Sequence, residues 1–160
     1  MSCAKPKNGE LSGREFCHGS ALQYSGQTEA AEKFVRKNSL SYIFSELAEL
    51  ECWRAFTLRT GKPNSENWTR LESLLGTGIW HREPFDWKAV SERSRQLIDR
   101  FGTKLKAGTL DTLHVAHALH SGCTRFLSFD SDSNARVLAV SCRLGVYPEL
   151  SAQEKARLVK

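Results

Sequence analysis

The sequence lacks several features that would place it in a common functional class. No apolar run approaches the ~20 residues that a membrane-spanning helix requires, so nothing predicts a membrane protein. The five cysteines are odd in number and none forms a C-x-x-C pair, which argues against a disulfide framework and a structural zinc site. Met1–Glu15 contains no hydrophobic segment of the secretory type. We therefore expect a cytoplasmic protein with reduced thiols.

Two familiar catalytic signatures are also missing. The chain has neither a G-x-S-x-G nucleophile elbow nor a G-x-x-x-x-G-K-[ST] phosphate loop. It has no run of five or six basic residues, although the net charge is +5. This charge is compatible with a polyanionic partner but does not require one.

Segments with helical and strand-like patterns alternate along the chain, which predicts an α/β fold. A length of 160 residues suits one domain with a normal core. Short apolar runs at 40–44, 79–80, 125–129 and 146–147 alternate with amphipathic segments, so we expect a three-layer α/β/α sandwich with a central parallel sheet. The predicted organisation is an irregular leader at 1–14, the α/β domain at 15–150 and a terminal helix or tail at 151–160.

Three acidic residues have positions that packing alone does not explain. Asp111 lies in the first turn of a predicted helix, and Asp130 ends an apolar strand nineteen residues later. A strand end beside a helix start is where α/β proteins assemble sites. Two carboxylates that meet there repel one another unless a cation joins them. Glu51, in the middle of an earlier helix, is the third candidate.

Carboxylates from separate elements are the ligands that hard divalent cations prefer. Mg²⁺ and Mn²⁺ take oxygen ligands, keep several waters and need only one or a few protein carboxylates. Such a cation polarises a phosphodiester and activates a water for in-line attack. The acidic residues therefore indicate a metal-dependent nuclease, although helix capping at Asp111, a turn or N-cap at Asp130 and a solvated position at Glu51 remain alternatives.

The order of three motifs resembles that of a known family. The motifs are SELAELECWRAF at Ser45–Phe56, GTLDTLHVAHALHSGCTRFLSFDSDSNARVL at Gly108–Leu138 and LGVYP at Leu144–Pro148. Together they resemble the PIN domain, and most of all the VapC-type ribonuclease toxins of prokaryotic toxin–antitoxin pairs, over about residues 16–148. The resemblance implies a PIN-like α/β/α sandwich that cuts RNA with Mg²⁺ or Mn²⁺.

The resemblance also assigns residue roles and partners. It implies that Glu51, Asp111 and Asp130 are catalytic metal ligands, and that Asp132 is either an accessory ligand or a turn residue. Ser128 and Asn134 occupy positions where family members often carry polar residues near the site. The resemblance further implies an RNA substrate, an antitoxin partner and assembly as a homodimer.

The amino-terminal segment departs from the family pattern. FCHGSAL at Phe16–Leu22 aligns well around Ser20, but His18 stands where family members carry the first aspartate. A neutral imidazole can ligate Mn²⁺ but supplies no negative charge, so metal binding should be weaker. The alternative function is therefore a catalytically impaired PIN-fold module that binds RNA or a protein partner such as an antitoxin.

A further group of histidines occurs in the same helix as Asp111. His114, His117 and His120 recur at i, i+3 and i+6, so the third drifts away from the face that the first two share. A zinc site would need further ligands at suitable spacing. We therefore expect ordinary histidines of the helix surface or core.

Overall fold

The computed structural model describes residues 14–17, 33, 37, 41–61, 65–78, 80–130 and 134–158. Five strands form one sheet in the order β3-β2-β1-β4-β5, and every neighbouring pair is parallel. The strands are β1 (Arg14–Cys17), β2 (Ser41–Ser45), β3 (Trp80–Glu83), β4 (Arg125–Leu127) and β5 (Gly145–Tyr147). The predicted parallel sheet is therefore confirmed.

In the described part of the chain after residue 45, six helices flank this sheet. They are α1 (Glu46–Thr60), α2 (Ser65–Leu75), α3 (Trp87–Leu105), α4 (Thr109–His120), α5 (Ala135–Ser141) and α6 (Ala152–Ala156). Within the described residues, none of the helices combines the length and the apolar character needed to cross a membrane.

The core is divided into two halves by the sheet, because successive side chains of a strand point to opposite faces. Tyr42 and Phe44 of β2 pack in a cluster with residues of α1 and α2. Ile43, between them, packs in a second cluster with residues of α3, α4 and α5. These two clusters produce the predicted three-layer α/β/α sandwich.

A capping residue explains where α1 begins. The apolar pattern explains why α3 continues past a glycine. Ser45 caps α1 by accepting a hydrogen bond from the N–H of Ala48, as its position before the helix predicts. A helix often ends at a glycine, but α3 continues past Gly102 to Leu105. The buried side chains of Phe101 and Leu105 continue the apolar face past the glycine, and this burial offsets the low helix propensity of glycine.

The carboxyl-terminal part of the described chain is held by a buried ion pair. Arg136 of α5 and Glu154 of α6 are 4% and 2% exposed, with Nε and Oε1 3.1 Å apart. Nη2 of Arg136 also donates to the carbonyl oxygens of Pro148 and Glu149, at 2.7 and 3.0 Å. Burial lowers the pKa of Arg136, whereas the charge of Glu154 acts in the opposite direction.

Removing one charge of this pair should destabilise the protein strongly. We expect Glu154→Gln to lower the free energy of unfolding by about 3 kcal/mol, because it removes the carboxylate that pairs with a buried guanidinium. Glutamine still accepts the hydrogen bond from the Ser151 N–H, so the capping of α6 is retained. Urea denaturation measures the change, with the exposed Glu149→Gln as the control. Equal stability of the two variants would contradict the prediction.

Candidate functional site

The strand order places a topological switch point between β1 and β4. From β1 the chain adds β2 and β3 on one side, and then returns to place β4 on the other side of β1. Cys17 and Leu127 are register partners at the carboxyl ends of β1 and β4. Ligands of open α/β sheets bind outside the carboxyl ends of the strands at such a switch point. Asp130 follows β4 by three residues and so lies at this edge.

Asp111 is held by the first turn of α4 and by the residue before α5. Its Oδ2 accepts a hydrogen bond from the N–H of Gly108 at 3.2 Å, and the N–H of Asn134 donates a second hydrogen bond to it. Gly108 is the N-cap of α4, so the carboxylate also lies at the positive end of the helix dipole.

Asp130 lies close enough to Asp111 for its charge to act on the Asp111 carboxyl group. Burial raises the pKa of Asp111 above its ordinary value, and the negative charge of Asp130 raises it further. The hydrogen bonds from Gly108 and Asn134 and the proximity of His114 act in the opposite direction. A carboxylate that is partly desolvated and faces a second carboxylate is an electrostatically unfavourable arrangement that a cation relieves.

Polar residues close to Asp130 fix the backbone around it. The buried hydroxyl of Ser128 accepts a hydrogen bond from the Asp130 N–H at 3.3 Å. Asn134 accepts a hydrogen bond from Nη1 of Arg157 through its Oδ1, at 2.8 Å. Ser128 therefore helps to position Asp130, and Asn134 helps to position Asp111.

Glu51 has a different partner from the other two acids. Its Oε2 lies 2.9 Å from Nε2 of His114, and its side chain is 21% exposed. His114 itself is fully buried. Sequence reasoning treated His114 as an ordinary helix residue, although its position three residues after Asp111 places the two on one face of α4. That spacing is the signal that could have identified it.

The other described histidines of α4 have separate environments. His117 is fully buried and packs edge-on against Phe85, with ring centroids 4.9 Å apart. Burial lowers the pKa of His117 to about 4, so the ring is neutral at physiological pH. His120 is exposed. The expectation of ordinary core and surface histidines therefore describes these two residues.

The donor chemistry suits a hard divalent cation at Asp111 and Asp130. In the described part of the chain, no three histidine, cysteine, aspartate or glutamate residues lie together in a way that could hold a metal ion. Two close carboxylates nevertheless fit Mg²⁺, which is commonly held by one or two protein carboxylates and several waters. The remaining candidates from the sequence, His18, Ser20 and Asp132, lie outside the described residues.

Comparison with known proteins supports the fold. No protein-family model matches the sequence, and no curated protein matches it. Among solved structures, the chain is similar to VapC20 of Mycobacterium tuberculosis, described as a Sarcin-Ricin loop cleaving toxin. The TM-score is 0.57 at 16% sequence identity, over 74% of this chain and 91% of that chain. The fold is thus PIN-like, as the sequence motifs implied.

The raised pKa of Asp111 predicts a pH-dependent stability effect. Below its ordinary value of 3.8 the carboxyl group is protonated in the folded and unfolded states, and the repulsion is absent. Above the raised folded pKa the group is ionised in both states, and the folded protein bears the full cost. We therefore expect Asp111→Asn to stabilise the metal-free protein at pH 7, and this gain to vanish as the pH falls below 3.8.

Urea denaturation in the presence of a chelator, at both pH values, measures this effect. The exposed Asp99→Asn on α3 removes the same charge from the surface and should change stability little at either pH. A loss of stability in Asp111→Asn at pH 7 would show that the carboxylate is stabilising and would contradict the account of its pKa.

Proposed function

We propose that this chain is a divalent-metal-dependent endoribonuclease of the VapC toxin type, which hydrolyses RNA phosphodiesters. The observation that carries the proposal is the Asp111–Asp130 pair at the carboxyl edge of a PIN-like sheet. The fold alone does not specify a function, because one fold hosts many chemistries. A partly buried carboxylate whose pKa is raised by its burial and by a neighbouring carboxylate is a feature of the site itself.

In this proposal Asp111 and Asp130 hold Mg²⁺ or Mn²⁺. Glu51 and Asp132 are further candidate ligands, and His18 and Ser20 are accessory candidates from the amino-terminal segment. The bound cation would supply Lewis-acid polarisation of the phosphodiester and lower the pKa of a water that attacks phosphorus. The hydrogen bonds to Asp111 from Gly108 and Asn134 orient its carboxylate before the cation arrives.

The proposed substrate is RNA. The similar VapC20 is described as cleaving the Sarcin-Ricin loop, and we extend from that protein only the class of substrate. The net charge of +5 favours association with a polyanion through phosphate contacts. As a VapC-type toxin, the chain would act in the cytoplasm, form a homodimer and bind a cognate antitoxin.

A second candidate function rests on His18. If the position of the first family aspartate lacks a carboxylate, the site has less negative charge with which to bind a cation. The chain would then be a PIN-fold module that binds RNA or a protein partner without cutting RNA. Binding of Mn²⁺ distinguishes the two candidates, because only the nuclease requires it.

Titration calorimetry with Mn²⁺ tests the proposed site directly. We expect the wild-type protein to bind Mn²⁺ in the micromolar to millimolar range, and both Asp111→Asn and Asp130→Asn to lose this binding together with RNA cleavage. Asp99→Asn is the matched control, because it removes one exposed carboxylate from α3 and should bind and cleave like wild type.

Two outcomes of this titration would contradict the proposal. Absence of Mn²⁺ binding to the wild-type protein would favour the non-catalytic module. Binding that persists unchanged in both Asp111→Asn and Asp130→Asn would place the cation elsewhere in the chain.

A further inference from the structure

Helix α3 and its C-cap residue carry most of the net positive charge of the chain. The range 87–106 contains six basic and two acidic residues, which gives a net charge of +4, against +5 for the whole sequence. All eight of these charged side chains are exposed. Positive charge concentrated on one surface helix favours binding of a polyanion, especially where the charges share a face.

The charges are distributed unequally around α3. With about 3.6 residues per turn, Arg93, Arg100 and Lys104 lie within about 40° of one another on one face. Lys88 and Arg95 lie on the far side of the helix, and each is followed four positions later by an acidic residue. Opposite charges at this spacing attract each other on a helix surface. Both acidic residues of α3 are therefore on the far side, and the charge of the first face is not balanced within the helix.

This first face, which we call the basic stripe (Arg93, Arg100 and Lys104), lies beside the end of α5. Burial raises the pKa of the Cys142 thiol at the C-cap of α5 to about 11, whereas the nearby charges of Arg100 and Arg93 act in the opposite direction. Both guanidinium groups are therefore close to Cys142. The segment 135–147 contains no acidic residue, so α5 adds no negative charge beside the basic stripe.

Uncharged partners hold the two arginines of the basic stripe. Nη1 of Arg93 donates to Oε1 of Gln96 at 3.4 Å, and the guanidinium of Arg100 lies 4.9 Å from the centre of the Phe101 ring. Neither contact neutralises the positive charge. Both contacts restrict the side chain, and a guanidinium that is already oriented loses less conformational entropy when it binds a phosphate.

One end of the basic stripe lies near the candidate metal site. A turn of three residues, 106–108, joins α3 to α4, and its last residue, Gly108, donates a hydrogen bond to Asp111. Lys104 is in the last turn of α3, just before this connection. Arg93 is eleven residues earlier, which corresponds to about 16 Å along the helix axis. The basic stripe therefore begins close to the acidic edge and extends away from it along α3.

We propose that the basic stripe of α3 binds the phosphate backbone of RNA and holds the strand beside the Asp111–Asp130 edge. The inference rests on RNA as the proposed substrate, adds the surface that binds its backbone, and requires no bound cation. Arginine and lysine contacts to phosphates supply sequence-independent affinity and fix the register of a nucleic acid on a protein. A strand bound along the stripe would place one of its phosphodiesters at the acidic edge.

The test compares two double variants of α3 that carry the same net charge. Arg100→Gln/Lys104→Gln changes the basic stripe, whereas Lys88→Gln/Arg95→Gln changes the far side of the helix. Each removes one arginine and one lysine from exposed positions, so general electrostatic attraction is reduced equally. Fluorescence anisotropy of a fluorescein-labelled single-stranded RNA measures binding, and a chelator prevents any metal-dependent cleavage during the titration.

We expect Arg100→Gln/Lys104→Gln to weaken RNA binding at low ionic strength by roughly tenfold. The slope of log K against log salt concentration should also become smaller by about 1.4, because each phosphate contact to a single strand contributes about 0.7. Lys88→Gln/Arg95→Gln should keep an affinity and a slope close to those of the wild-type protein.

The contrary outcomes separate this inference from the proposed nuclease. An equal loss of affinity in the two double variants would show a response to net charge alone and would overturn the role of the stripe. Wild-type affinity and slope in Arg100→Gln/Lys104→Gln, or no RNA binding by the wild-type protein, would also overturn it. The expected RNA binding without Mn²⁺-dependent cleavage would support the stripe and contradict the nuclease.

Discussion

The partial burial of Asp111 close to the negative charge of Asp130 is the constraint on which the rest of the site depends. Asp130 follows the carboxyl end of β4, and α4 begins at the same edge of the sheet. The two carboxylates are therefore close to each other. Backbone N–H groups from Gly108 and Asn134 offset part of the cost. A divalent cation would relieve the unfavourable electrostatic free energy that remains.

Contacts from the carboxyl-terminal helices reach this edge of the sheet. Arg136, whose guanidinium is also close to Asp130, is anchored by Glu154 and by two backbone carbonyls of the loop before α6. Arg157, just after α6, binds the side chain of Asn134, whose N–H donates to Asp111. The carboxyl-terminal segment therefore contacts Asn134 directly and places a guanidinium near Asp130, so contacts that hold this segment also reach the candidate site.

The sequence predicted the architecture and the meeting of Asp111 with Asp130, because alternating patterns and strand-end positions are local properties. It did not predict the Glu51–His114 hydrogen bond, which depends on how two helices on opposite faces of the sheet approach each other. The continuation of α3 past Gly102 has a related cause, since the burial of Leu105 is a tertiary effect that overrides the low helix propensity of glycine.

Diffraction from crystals soaked in Mn²⁺ is the most direct test of the central claim, because the anomalous signal locates the ion independently of any activity. A manganese peak about 2.1 Å from a carboxylate oxygen of both Asp111 and Asp130 is the result we predict. A peak bound by other residues, or no peak while both carboxylates are well ordered, would contradict the assignment of this edge as the metal site of a ribonuclease.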